Sequence, residues 1–472
     1  MPDSADRRYV LGLGSPGRHE LAIKSKVSRR ALLGAAGGGL LFAGGWATLD
    51  GLKRGKVEGR VLPWVTANAH SFDPARPDSL WSPALARALD GARIIGVGEA
   101  THGSHEDAVA KAAIIRGLVT SGVARTLYLE MNAQAGRELD AFIQGSSGDA
   151  RARLRTSHAF RVFKTRALAD LLAWLRDWNR AALQPVRIFG IDCQSTAQDA
   201  AEALIALRRR DPAAADRLAP RLAPIVSAKA QNLRFPALIK SLTTAQLREA
   251  MSALEALRAA LGAHPDDRTA RYSARTAWQG LKAFELETAD GKITGDADAY
   301  YARRDRFMAE NILEAPADGP GVFWAHNAHV AAGGPPGSAF LPAGGQLRRR
   351  LGDAYRAVVF EYGAAQFNAV PALPVVPPPS AAAPMTVIRW TDRRGRLAQM
   401  LGKARAGSFW VALRDLPDDE AGRAWRALPY KLAWPGYAAT RWQVANLDPT
   451  IPSGSLFDVV VYIAELTPSR PV

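Results

Sequence analysis

Residues 93–104 read RIIGVGEATHGS: an apolar run without polar alternation, closed by an acid, then a turn of small residues around a histidine. A strand that is apolar at successive positions is buried on both faces, the condition inside a parallel sheet covered by helices. Six further runs have this character: TLYLE at 126–130, VRIFGID at 186–192, GVFWA at 321–325, RAVVF at 356–360, FWVAL at 409–413 and the segment 457–463. Helical patterns stand between them at 105–121, 133–144, 164–182 and 344–351. The expected class is α/β, with a mostly parallel central sheet flanked by helices. From about 196 to 315 no strand pattern occurs and Ala, Leu and Arg recur at helical spacing, which predicts an all-helical insertion. Residues 364–385 are rich in Pro and Ala and read as a loop, stiffest at VVPPP, 375–379.

The chain has 472 residues, a length that a single large domain over 48–472 can use, and 48% of them are hydrophobic. The net charge is +16, but 61 Lys and Arg are interleaved with 45 Asp and Glu, without a block of five like charges. That pattern gives solvated faces and no nucleic-acid surface. The single cysteine, Cys193, follows an apolar run and excludes both an intrachain disulfide and a cysteine-built zinc site. At the N-terminus, SRRALL at 28–33 opens a Gly-rich apolar stretch ending in small residues at Gly45 and Ala47. Paired arginines before such a segment predict a twin-arginine export signal over 1–47 and a periplasmic protein. The stretch, about 17 residues with six glycines, falls short of a stable span of ~20, so no membrane association is expected once the signal is removed.

Of eight histidines, four fall in two short patches, His102 with His105 and His326 with His329. Each patch follows a buried-strand pattern, and ligands of open α/β sheets sit outside the carboxyl ends of the strands. Ser104 and Asp107 have capping-box spacing, so a helix should begin there, with His102 in the turn before it. Glu99, at the end of its strand, can hold the imidazole in one tautomer, making His102 a general base and Glu99 its orienter. Glu130 ends the next strand in the same way. The second patch, WAHNAH at 324–329, can supply a donor to a developing oxyanion, a metal pair, or two hydrogen-bonded loop histidines. Arg304, Asp305 and Asn311 share a helix surface and suit support of the site better than contact with substrate. Neither a G-x-S-x-G elbow nor H-E-x-x-H occurs, and GVG at 96–98 lacks the third glycine of a dinucleotide loop.

GEATHGSHE at 98–106 resembles the opening motif of the erythromycin esterase family. LEM at 129–131, WLRDWN at 174–179, FGID at 189–192, RDRFMAEN at 304–311, WAHNAHV at 324–330, LGDAY at 351–355 and FDVVVYI at 457–463 are similar to its later motifs, in the same order. The resemblance spans about 90–465. It implies an α/β core with helical additions, hydrolysis of a macrolide lactone, and a histidine base acting on water, with no covalent intermediate, cofactor or obligatory metal. By position, His102 resembles the base, Glu99 and Glu130 the essential acids and His326 the second essential histidine. His329, Lys111 and His105 are expected at the substrate. Lys111 stands where the family commonly has Arg, and Lys cannot give Arg's two-pronged hydrogen bond. The expected partner is a small ester or lactone. Two other readings use the same cluster: a metallohydrolase, or an exported binding or envelope-biosynthesis accessory protein that turns nothing over.

Overall fold

The computed structural model describes residues 53–194, 196–227, 238–239, 241–284, 297–315, 319–334, 340–371, 384–391, 396–432, 434–439, 450–452, 454 and 456–472. The export signal assigned to 1–47 and the VVPPP stretch lie outside the described residues. Residues 54–472 form one compact unit.

Its centre is a nine-stranded sheet. In chain order the strands are β1 (His70–Phe72), β2 (Ile94–Val97), β3 (Thr126–Leu129), β4 (Arg187–Gly190), β5 (Gly321–Trp324), β6 (Tyr355–Ala369), β7 (Thr386–Thr391), β8 (Ser408–Val411) and, after a separate two-stranded pair, β11 (Val459–Leu466). That small pair is β9 (Pro429–Lys431) with β10 (Thr450–Pro452). Across the sheet the order is β1-β8-β11-β6-β2-β5-β3-β4, with β7 on β6. From β11 to β4 all neighbours run parallel, while β8 and β7 are antiparallel. The fold is therefore α/β with a mostly parallel sheet. Strands β2, β3 and β5 are buried at every position, as their unbroken apolar runs require.

The helices that matter for the site are α1 (His105–Thr120), α2 (Ala133–Ile143), α3 (Arg166–Ala181), α4 (Thr196–Arg210), α5 (Pro212–Val226), α6 (Thr244–Gly262), α7 (Arg268–Phe284), α8 (Ala297–Glu314), α9 (Asn327–Val330) and α10 (Ala343–Leu351). Ser104 caps α1 through a bond from the Asp107 amide. Helices α4 to α7 enclose an apolar cluster of their own, including Leu207, Leu222, Leu254, Leu257 and Leu281. Helix α8 belongs elsewhere: Met308, Ala309 and Ile312 pack with Phe323 and Val359 of the sheet. The described part of 196–315 thus contains four helices packed on one another and one packed on the sheet.

The loop read over 364–385 begins later than its composition suggests. Strand β6 continues to Ala369, pairing Ala364–Ala369 with Thr386–Thr391 of β7. Ala365, Phe367 and Ala369 are buried while Ala364, Gln366 and Asn368 are half-exposed. This is the period-two pattern of a strand covered on one face, hidden in the sequence by the alanines around it. Among the described residues no helix is long and apolar enough to cross a membrane.

Candidate active site

Val97, Trp324, Leu129 and Gly190 stand abreast across β2, β5, β3 and β4. One or two residues further on, the strands deliver Glu99, His326, Glu130 and Asp192 at the carboxyl edge, where α/β sheets bind ligands. Backbone pairing continues past the strands and fixes this row: Asn327 N–H donates to Glu99 C=O at 2.9 Å and Glu130 N–H to Trp324 C=O at 3.0 Å. A hollow of about 240 Å³, lined by Arg93, Tyr128, Ile312 and Pro320 among others, lies at the opposite, amino ends of these strands.

His102 sits in the turn between β2 and α1. Its Nδ1 lies 2.5 Å from Glu99 Oε1, so Nδ1–H donates to the carboxylate and Nε2 is left as the acceptor. The other oxygen of Glu99 accepts from Lys111 Nζ at 2.8 Å. Burial alone would raise Glu99, but Lys111 and His102 outweigh it and bring the acid down to about 2. Lys111 is fully buried, donates also to Ala325 C=O at 3.1 Å, and lies 4.3 Å from the centre of the Trp324 ring. The expectation that Lys111 meets substrate therefore gives way to a place behind Glu99. Gly98 and Gly103 are dictated by close approach: a Cβ on either would overlap the Asn327 side chain or the Asn368 backbone. Buried Asp107 accepts the Ala100 and Thr101 amides at 3.1 and 3.3 Å, and burial, with Glu99 adding to it, raises it to about 7.

His326 caps α9, its Nδ1 accepting the Ala328 N–H at 3.2 Å. The ring's proton is therefore on Nε2, which is buried and has no hydrogen-bond partner among the described residues. Burial, then the neighbouring His102, lowers this histidine to about 3, so it is a neutral N–H donor. The centres of the His102 and His326 rings are 5.0 Å apart, and Phe163 stands edge-on to His102 at 6.1 Å. One histidine of each patch, His102 and His326, meet here, His326 reached from a strand that enters between β2 and β3.

Behind them is a buried ionic network. Glu130 Oε2 accepts the His326 backbone N–H at 2.9 Å, and Oε1 accepts from Arg304 Nη2 at 2.8 Å. Glu130 is held well below the usual carboxylate range: burial opposes this, but His329 and Arg304 prevail. Arg304 grips Asp192 with Nε at 3.0 Å and Nη2 at 2.7 Å. His329 Nδ1 lies 2.8 Å from Asp305 Oδ1, and its Nε2 lies 3.2 Å from Glu130 Oε1 and 3.0 Å from Arg304 Nη1. Burial disfavours its charge, yet Asp305 and Glu130 raise it to about 10, and the carboxylates on either side of the Arg304–His329 approach hold these two cations together. His329 thus braces Glu130 rather than the cleft. Asn311 supports the end of β4, donating to Ile191 C=O at 3.0 Å. His105, expected at the substrate, starts α1 half-buried, with Glu106 and Arg470 as its charged neighbours. Phe163 carries no motif in the sequence, while Asp107, read only as a helix cap, and Asp192, within FGID, were not expected at the site. Among the described residues no three of His, Cys, Asp and Glu converge as a ligand set. Cys193 is a buried free thiol whose pKa burial pushes well up.

Residues 124–466, well over half of the chain, match the family model described as erythromycin esterase. The chain belongs to the erythromycin esterase family. Glu130, His326 and His329 lie inside the matched stretch, whereas Glu99, His102 and Lys111 precede it. A curated member, erythromycin esterase type I of Escherichia coli, is 26% identical over 136 residues, 29% of this chain and 32% of the relative, so the match spans about a third of that protein. The fold is shared with a succinoglycan biosynthesis protein, at TM-score 0.72 and 18% identity over 88% of this chain and 99% of that one. A protein from Bacillus cereus gives 0.70 and 20% over 88% and 99%. A mutant erythromycin esterase crystallised in its open conformation gives 0.60 and 19% over 86% and 98%.

Proposed function

We propose that this family member hydrolyses a carboxylic ester or lactone of a small molecule, of the macrolide type. His102 Nε2 takes a proton from water as the water oxygen attacks the acyl carbon. Glu99 holds the ring and offsets the charge that develops on it. The His326 Nε2–H donates to the acyl oxygen as that oxygen becomes negative. The proton on His102 then passes to the leaving alkoxide as the acyl C–O bond breaks, giving acid and alcohol, or one hydroxy acid from a lactone. The observation that carries this reading is the buried His326 Nε2–H, without a hydrogen-bond acceptor among the described residues, beside the Glu99-oriented imidazole.

His102→Asn should lower turnover about 10²–10⁴-fold at an unchanged melting midpoint, measured by mass spectrometry on erythromycin and a panel of simple esters and lactones. A variant that keeps most of its activity overturns the assignment. Dialysis against a chelator should leave activity intact; loss of activity together with stoichiometric release of a metal would favour the metallohydrolase. Export rests on the sequence of 1–47 alone: replacing Arg29 and Arg30 by Lys should leave the protein in the cytoplasm, and undiminished periplasmic recovery would refute it.

A further inference from the structure

The last residues of the chain run beside the site in a way the proposed reaction does not use. Thr467 C=O accepts the His105 N–H at 2.8 Å, and the Ser469 N–H donates to Gly103 C=O at 2.7 Å. Both groups belong to the turn that carries His102, at the start of α1, where a helix leaves its first amides without internal partners. Glu106, the last residue of GEATHGSHE, receives the Thr467 N–H at 2.5 Å on one oxygen and the Thr467 hydroxyl at 2.6 Å on the other. Asn368 of β6 closes the set: its N–H also donates to Gly103 C=O, at 3.1 Å, and its Nδ2 donates to Ser469 C=O at 2.8 Å.

Further along, the same segment ties a second piece of chain. Arg470 C=O accepts the Arg166 N–H at 2.8 Å, and the Val472 N–H donates to Lys164 C=O at 3.1 Å. Bridges pair Ser104 with Pro468 and Thr165 with Pro471. Lys164 directly follows Phe163, whose ring stands against His102. One extended strap therefore fastens both the turn that presents the imidazole and the segment that walls it.

We propose that residues 467–472 are a positioning strap for His102, with Glu106, Thr467 and Ser469 as positioning residues that set the ring against His326 and Phe163. The kinetic arm of the test rests on the hydrolase reading; the spectroscopic arm does not. The ¹⁵N-labelled full chain is followed through the Nδ1–H proton of His102, which the short bond to Glu99 places far downfield, and through kcat and KM for 4-nitrophenyl acetate. Glu106→Gln turns an acceptor of the fork into a donor, Thr467→Val removes only the hydroxyl, and Ser469→Pro removes the amide that reaches Gly103. Each should shift or broaden the resonance and lower kcat about tenfold with KM within about twofold, since sub-ångström misplacement of a base acts on the chemical step. Ser469→Ala keeps the amide and removes only the bond that the Ser469 hydroxyl accepts from Asn368 Nδ2 at 3.0 Å, so it should move the resonance and kcat less than Ser469→Pro does. Variants with the parent's melting midpoint, an unmoved resonance and unchanged kcat overturn the strap. If Ser469→Pro does not fold, the two milder variants decide by the same criteria. A parent that hydrolyses no ester sinks the proposed reaction, and the resonance still judges the strap.

Discussion

Glu99 binds His102 on one oxygen and a wholly buried lysine on the other, so its charge never stands alone. Lys111→Met would leave that carboxylate uncompensated in an apolar setting, a change that costs about 3–5 kcal/mol when a buried pair is broken from one side. A fall in the denaturation midpoint, with Lys111→Arg falling less, checks this. The two histidines of the second patch titrate in opposite senses. His329 is raised to about 10, so its contribution to stability is complete below the ordinary histidine value near 6.5 and fades as pH climbs through 10. His326 is lowered to about 3, so its contribution is present above 6.5 and fades as pH drops toward 3. Melting curves of His329→Gln should therefore lose part of the alkaline decline of the parent, and those of His326→Gln part of the acid decline. The positions of Glu99, His102, Glu130 and His326 were legible in the sequence because each follows a strand whose apolar run announces itself. The true neighbours of Lys111 and His105 were not, since one helix carries both and turns Lys111 toward the sheet and His105 toward the chain's last residues.

At the scale of elements, every strand that builds the site was readable, and the ones missed lie at the margins. Strand β1 has three residues with two exposed, too short to show a pattern, and the far half of β6 alternates behind a screen of alanine. Helix α8 was grouped by composition with its helical neighbours, yet Met308 and Ile312 join the sheet cluster while Arg304 and Asp305 reach the site. The division has a measurable result. Leu257→Ala opens a cavity in the cluster of α4 to α7, with an expected cost of about 2–5 kcal/mol, and should leave kcat and KM at parental values. Calorimetry and steady-state rates on one preparation check both halves. Met308→Ala, of similar chemistry but in the sheet cluster behind Arg304, should lower stability and kcat together.

For the molecule as a whole, the basic excess of +16 is spread along the chain, with acidic residues interleaved. Most of the sheet's contacts join strands far apart in sequence, a topology that folds slowly. The lane between β2 and β3 is filled by β5, which is synthesised long after both. Until residue 321 has left the ribosome, two apolar strand edges face an empty lane, and they must avoid closing on each other. In the proposed reaction the base, His102, is made early in translation and the oxyanion donor, His326, late, on the turn that follows β5. On that reading a chain cut before residue 321 holds His102 without His326, and hydrolysis requires β5 to enter its lane.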